Sequence, residues 1–268
     1  AKLAPRWAGL CASLGVSKDA QQRWWDLLRL RHGEPKRAYH TLAHLCELFG
    51  YLDAHAGGVS DARAVSLAIF FHDVVYDPRA GSPKNELDSA VLFDSFGQEA
   101  VPAGDPPGLA KGELISKVRR WIVQTASHKV GPEDDEDCRL FMDFDMAVLG
   151  RPWERYEEYS HQIRAEYCHV PEAFFCKARG AFLAATAAGP PIFASELFRE
   201  SHERQARENM AREARALQER FRRCNLPRRL MAQIALSPHT KNLIGRLMTR
   251  NAGLGLGFAA VAWQPGLR

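Results

Sequence analysis

Ala68-Ile69-Phe70-Phe71-His72-Asp73-Val74-Val75-Tyr76-Asp77-Pro78 sets an ionisable pair at the end of an otherwise oily segment. An imidazole and a carboxylate buried there lose several kcal/mol of hydration unless something satisfies them, and a divalent cation does so most directly. His72 and Asp73 are therefore candidate metal ligands on physical grounds alone. The apolar run before them recurs at helical spacing from Asp61 and stops at Asp77-Pro78, so the pair belongs to the end of a buried helix over 61–75.

Working outward, the same periodicity repeats along the chain, with no internal repeat and no convincing alternation of the strand type. Helices are expected over 19–31, from Tyr39 to the Gly57-Gly58 break, and over 85–96, 111–124, 133–149, 152–168, 171–188 and 195–223. Residues 97–108 read as a Pro/Gly-rich loop. The fold class is all-α, a helical bundle over residues 1–223 with a C-terminal extension over 224–268. Within that extension Leu230–Met248 has the pattern of a basic amphipathic helix, and Ala252–Trp263 is Gly-rich and apolar.

Composition bounds the class. The 268 residues are 46% hydrophobic and 25% charged, enough for one domain with a substantial core. No run approaches the roughly eighteen apolar residues of a membrane span, and Ala1–Trp7 lacks the hydrophobic region of a secretory signal, so a soluble, intracellular, cytoplasmic protein is expected. The six cysteines are scattered without a Cys-x-x-Cys pair, which suits reduced thiols better than a disulfide framework or a zinc ribbon. The net charge of +4 hides a split: residues 220–268 hold nine Arg or Lys and no Asp or Glu, which leaves the body acidic. A disordered basic extension is expected, with nucleic acid or anionic lipid as the partners its charge would suit. No Walker A loop, Gly-x-Ser-x-Gly elbow or dinucleotide fingerprint occurs, which argues against those three chemistries.

Other residues join the His-Asp pair. His40 and His44 are four apart, which on one helix would place two imidazoles side by side. Asp143 and Asp145 sit within the apolar run Phe141–Leu149, two apart and so on nearly opposite faces. One of them faces the site, and the other is expected to be a solvated surface aspartate.

The order His44, His72-Asp73, Asp145 resembles the His…His-Asp…Asp signature of the HD-domain superfamily of metal-dependent phosphohydrolases. Tyr39-His40-x-x-x-His44, His72-Asp73-x-x-Tyr76-Asp77-Pro78, Asn85-Glu86-x-x-Ser89-Ala90 and Asp145-x-x-x-Leu149-Gly150 are similar to one largely uncharacterised branch of it, over roughly Trp7 to Leu217. The resemblance implies an HD-domain-like helical bundle holding one or two divalent ions (Mn, Co, Ni, Fe, Mg or Zn), with His44, His72, Asp73 and Asp145 as ligands. The Tyr39–His44 segment is also similar to that of cyclic-nucleotide phosphodiesterases, which by analogy makes His40 the acid that protonates the leaving oxygen, with Asp73 orienting the attacking hydroxide. Helix geometry and the resemblance together assign Asp145, not Asp143, to the metal.

Around that set, His128 is a candidate second-metal ligand or phosphate contact, and Glu86 a candidate acceptor for a ligand imidazole or metal-bound water. Arg37, Lys84 and Arg164 are candidate phosphate contacts. The expected activity is metal-assisted hydrolysis of a phosphate ester or anhydride in a small, nucleotide-like phosphorylated substrate. A di-iron oxygenase of the HD type and a non-catalytic metal- or nucleotide-binding regulatory protein are the alternative classes.

Overall fold

The computed structural model describes residues 3–102 and 111–224, and the expectations placed on the tail beyond Cys224 lie outside them. The described residues form ten α-helices and no strand, so the all-α expectation holds. They are α1 (Leu3–Ser13), α2 (Lys18–His32), α3 (Leu42–Ala54), α4 (Ala62–Phe71), α5 (Lys84–Glu99), α6 (Lys111–Gln124), α7 (Glu136–Met146), α8 (Trp153–Glu166), α9 (Glu172–Ala188) and α10 (Glu196–Arg223). Short 3-10 turns at Ala56–Gly58 and Ala147–Gly150 follow α3 and α7. Among the described residues no helix is long and apolar enough to cross a membrane.

Helix starts obey local chemistry. Ser17, Thr41, Asp61, Asp135 and Ser195 each accept a bond from a backbone N–H in the first turn of the following helix, meeting donors that a helix cannot satisfy itself. Asp137 adds a second support to α4 by accepting from Ser60 and Asp61 N–H at 2.7 and 2.8 Å.

The sequence pattern and the structure differ in several places: α4 ends at Phe71 instead of running to residue 75, and α7 spans Glu136–Met146 instead of 133–149. Helix α1 is not anticipated; its Trp7 packs within 5.1–6.1 Å of Phe70, Phe71 and Phe96 and makes α1 part of the core. Helix α5 continues through Gly97, where Ile115 of α6 approaches so closely that a Cβ would stand 2.7 Å from its Cδ1; the glycine serves helix contact rather than helix termination. Helix α3 begins at Leu42, not Tyr39, because Thr41 is the N-cap. His40 therefore precedes the helix instead of sharing its face with His44.

Helix α4 is the centre of the molecule. Ala64, Val65 and Leu67–Phe71 are fully buried, each large apolar side chain contributing roughly 1.5–3 kcal/mol. It packs on α3, α5, α6 and α7, so the residues at its C-terminal end emerge among four other elements. Helices α9 and α10 pair along one side, where buried Arg179 meets Glu213 at 2.5 Å and Tyr156 donates to the same carboxylate at 2.6 Å.

Candidate metal centre

His72 is the C-cap of α4, with its ring between α3 and α7. Its Nδ1 faces the Ile69 carbonyl at 3.0 Å; as donor there, Nδ1 leaves the Nε2 lone pair to the cluster. His72 Nε2 stands 3.3 Å from His44 Nε2 and 3.5 Å from Asp145 Oδ1, and His44 Nε2 is 3.0 Å from that same oxygen. Asp73 Oδ2 adjoins this set, 3.1 Å from His72 Nε2 and 3.9 Å from His44 Nε2. All four side chains are at least mostly buried, and Asp73 is the one most open to solvent.

The donor set fits a cation. Neighbouring donors around an ion held at about 2.1 Å stand about 3.0 Å apart in an octahedral arrangement and about 3.4 Å apart in a tetrahedral one, close to the separations observed. Two imidazole nitrogens and carboxylate oxygens suit a borderline divalent metal. His44, His72 and Asp145 thus form a buried cluster that could hold a metal ion, with Asp73 at its edge.

Burial opposes charge on His72, but the carboxylates of Asp73 and Asp145 outweigh it and hold its pKa well above the ordinary value. The reciprocal effect acts on Asp145: burial would raise its pKa, yet the His72 charge and bonds from His128, His44 and His72 hold it well below the usual carboxylate range.

His40 lies beside the cluster, its Nε2 4.0 Å from Asp73 Oδ2. Its Nδ1 bonds to Glu166 Oε2 at 2.7 Å, and Tyr76 OH donates to the same oxygen at 2.7 Å while its ring packs on the imidazole. Glu166 Oε1 accepts the backbone N–H groups of Ala38, Tyr39 and His40 at 2.8, 2.8 and 3.1 Å. Burial works against both charges, but each supports the other: Glu166 is lowered to about 2 by the His40 charge and its donors, and His40 is raised by the Glu166 and Asp73 carboxylates. Glu166 escapes the motif reading, although one signal existed. It extends the apolar stripe Tyr156, Tyr159, Ile163 of α8 with a carboxylate where an apolar residue is expected.

The remaining candidates divide. His128 is brought in: its Nε2 meets Asp145 Oδ2 at 2.8 Å, on the oxygen that faces away from His44 and His72. Its φ of 52° is the only positive value at a non-glycine residue among those described, a strained conformation of the sort held at functional sites. Glu86 is buried in the first turn of α5, within electrostatic reach of Asp73, His40 and Asp145.

Arg37, Lys84 and Arg164 are not free phosphate contacts in this structure. Arg37 donates through its two terminal nitrogens to the carbonyls of His40, Asp73 and Val74 at 3.0, 2.6 and 3.1 Å, and so fixes the segments that carry His40 and Asp73. Lys84 is exposed and paired with Asp88. Arg164 binds Glu172 and the carbonyls of Tyr167 and Val170, joining α8 to α9.

Asp143 overturns the expectation of a solvated aspartate. It does face away from the cluster, but into the chain that enters α10, where it accepts from Ala194 N, Ser195 N and Ser195 Oγ at 2.6, 2.7 and 2.5 Å. Burial nonetheless pushes its carboxyl up to about 6, against the pull of those donors.

Comparison of the chain with protein-family models, with curated proteins and with solved structures returns no match.

Proposed function

We propose that this protein is a metal-dependent phosphohydrolase of the HD type, acting in the cytoplasm on a phosphate ester or anhydride of a small, nucleotide-like substrate. The observation that carries the reading is the pairing of two devices. A buried three-donor cluster of His44, His72 and Asp145 lies beside His40, whose Nδ1 is fixed by Glu166 and whose Nε2 points toward Asp73. A divalent cation at the cluster supplies Lewis acidity to a phosphoryl oxygen and lowers the pKa of water from about 15.7 toward about 7. The chain supplies the rest. Asp73, at the open edge, limits where substrate and water can stand. His40, whose protonated form the Glu166 and Asp73 carboxylates favour against burial, donates its Nε2 proton to the departing oxygen. Arg37 holds the backbones of both residues still, which preserves their separation.

A purely sensory or scaffolding protein has no need of a buried proton donor aimed at the cluster, and this favours catalysis. The test is a phosphatase screen of purified protein against nucleoside mono-, di- and triphosphates, cyclic nucleotides and nitrophenyl phosphate with Mn, Co, Ni, Fe, Mg and Zn in turn. Metal-dependent turnover is expected, and His40→Asn should keep its metal while losing most activity on poor leaving groups. Absence of turnover on every substrate with metal bound would reject the hydrolase reading.

A further inference from the structure

The first turns of α5 are fastened to the segment that follows His72-Asp73. Asn85 Oδ1 accepts from Asp77 N–H at 3.0 Å, and its Nδ2 donates to Asp77 O at 3.1 Å. One turn later Ser89 Oγ accepts from Val75 N–H at 3.0 Å and donates to Val75 O at 3.2 Å. Four bonds therefore leave α5 little freedom relative to the cluster, and the residue carried between them, Glu86, is equally fixed.

Glu86 is 4% exposed, and its Oε2 is buried without any hydrogen-bond partner. The backbone at the start of α5 favours the charge, as a helix N-terminus does, but that leaves the second oxygen unserved. Of the neighbouring cations, His40 engages Glu166 through Nδ1, and Arg37 engages three carbonyls through its two terminal nitrogens. Burial pushes the carboxyl up to about 7, and the charges of Asp73 and Asp145, which border the cluster, add to the rise while His40 opposes it. A buried carboxylate oxygen without a partner is strongly unfavourable in a folding sense. Phosphate would be repelled by it, so the missing partner is a hydrogen-bond donor, and water is the smallest that satisfies the requirement.

We infer that the free oxygen of Glu86 is the acceptor for a water molecule held between α5 and the His44, His72 and Asp145 cluster, making Glu86 the water-orienting residue of the site. This rests on the reading of the cluster as a cation site and deepens the proposed hydrolysis. In that reaction the water oxygen forms the new P–O bond as the bond to the leaving oxygen breaks. The water proton passes to Glu86, and His40 Nε2 supplies a proton to the leaving group.

The test needs no substrate. Metal-free wild type, Glu86→Gln and Glu86→Asp are titrated with Zn²⁺ and with Co²⁺ by calorimetry at one pH, and their unfolding midpoints are measured without metal. Residues that act on a metal through an intervening group change its affinity by about 10–100-fold. Both variants should therefore bind the same number of equivalents as wild type, at least about tenfold more weakly, and the isosteric Glu86→Gln should melt no lower than wild type. Glu86→Asp at wild-type affinity would mean that charge alone matters, a fall in stoichiometry that Glu86 is itself a ligand, and a lowered midpoint in Glu86→Gln that its role is structural; each result overturns the inference. Wild type that binds neither ion rejects the cation site and the inference with it. Wild type that binds while both variants match it rejects only the role of Glu86.

Discussion

Asp143→Asn separates Asp143 from Asp145 more sharply than any other substitution. Three donors converge on this carboxylate, one on Oδ1 and two on Oδ2. Asparagine keeps one acceptor and turns the other into an NH₂ group facing an N–H. In the better of the two amide orientations, with the NH₂ at the Oδ1 position, only the bond from Ala194 is lost; in the other, both bonds from Ser195 are lost. A buried hydrogen bond to a charged group contributes about 1.5–3 kcal/mol, and an orphaned buried donor costs a similar amount. Removing the buried charge, which burial disfavours, offsets part of that loss, so the expected destabilisation is at the low end, about 1.5 kcal/mol, equivalent to about 3–6 °C in the unfolding midpoint for a domain of this size. The experiment is thermal unfolding at pH 7.5, where a carboxyl near 6 is ionised, together with metal titration of the same preparation. The midpoint should fall while metal stoichiometry stays at the wild-type value, since the carboxylate faces α10 and not the cluster. A midpoint within 1 °C of wild type, or loss of bound metal, would refute the placement of Asp143.

Two further outcomes follow from the charges around His40 and His72. Glu166→Gln puts an NH₂ group in reach of two donors, His40 Nδ1 and Tyr76 OH; the imidazolium loses its partner, so the alkaline limb of the pH–rate profile should move to lower pH with metal content unchanged, and a wild-type profile would contradict this. For metal binding, the His72 pKa lies well above 6.5 in the metal-free protein, so below it a bound cation must displace a proton. Affinity should then rise with pH and fall on acidification, beginning above about pH 6.5; calorimetric affinities that stay flat from pH 8 to 6 would oppose that competition.

The buried His-Asp pair is legible in the sequence because five buried apolar residues, Leu67–Phe71, lead without interruption into His72, although the pattern alone carries the helix on to residue 75 where α4 ends at Phe71. His44 and Asp145 are legible because each interrupts an apolar stripe with a metal-binding side chain. Glu166 is harder: its bonding partners, Ala38, Tyr39 and His40, are more than 120 residues away, and periodicity reports a face without saying what meets it. Asp143 fails for the same reason. It falls on the charged side of α7, but the segment Ala194–Ser195 returns from the far end of the chain to cover that side. Charge likewise misleads for Arg37, whose two terminal nitrogens serve carbonyls that only the folded turn presents. Short-range signals such as the Thr41 cap act against the motif itself, since the cap sets His40 outside the helix that carries His44.

Elemental analysis of the purified wild-type protein beside His72→Ala and Asp145→Asn tests the metal centre most directly. The cluster geometry predicts at least one equivalent of a divalent transition metal in wild type and its loss from both variants, each still folded by circular dichroism. Full retention of metal in both variants would contradict the assignment of His44, His72 and Asp145 as the site.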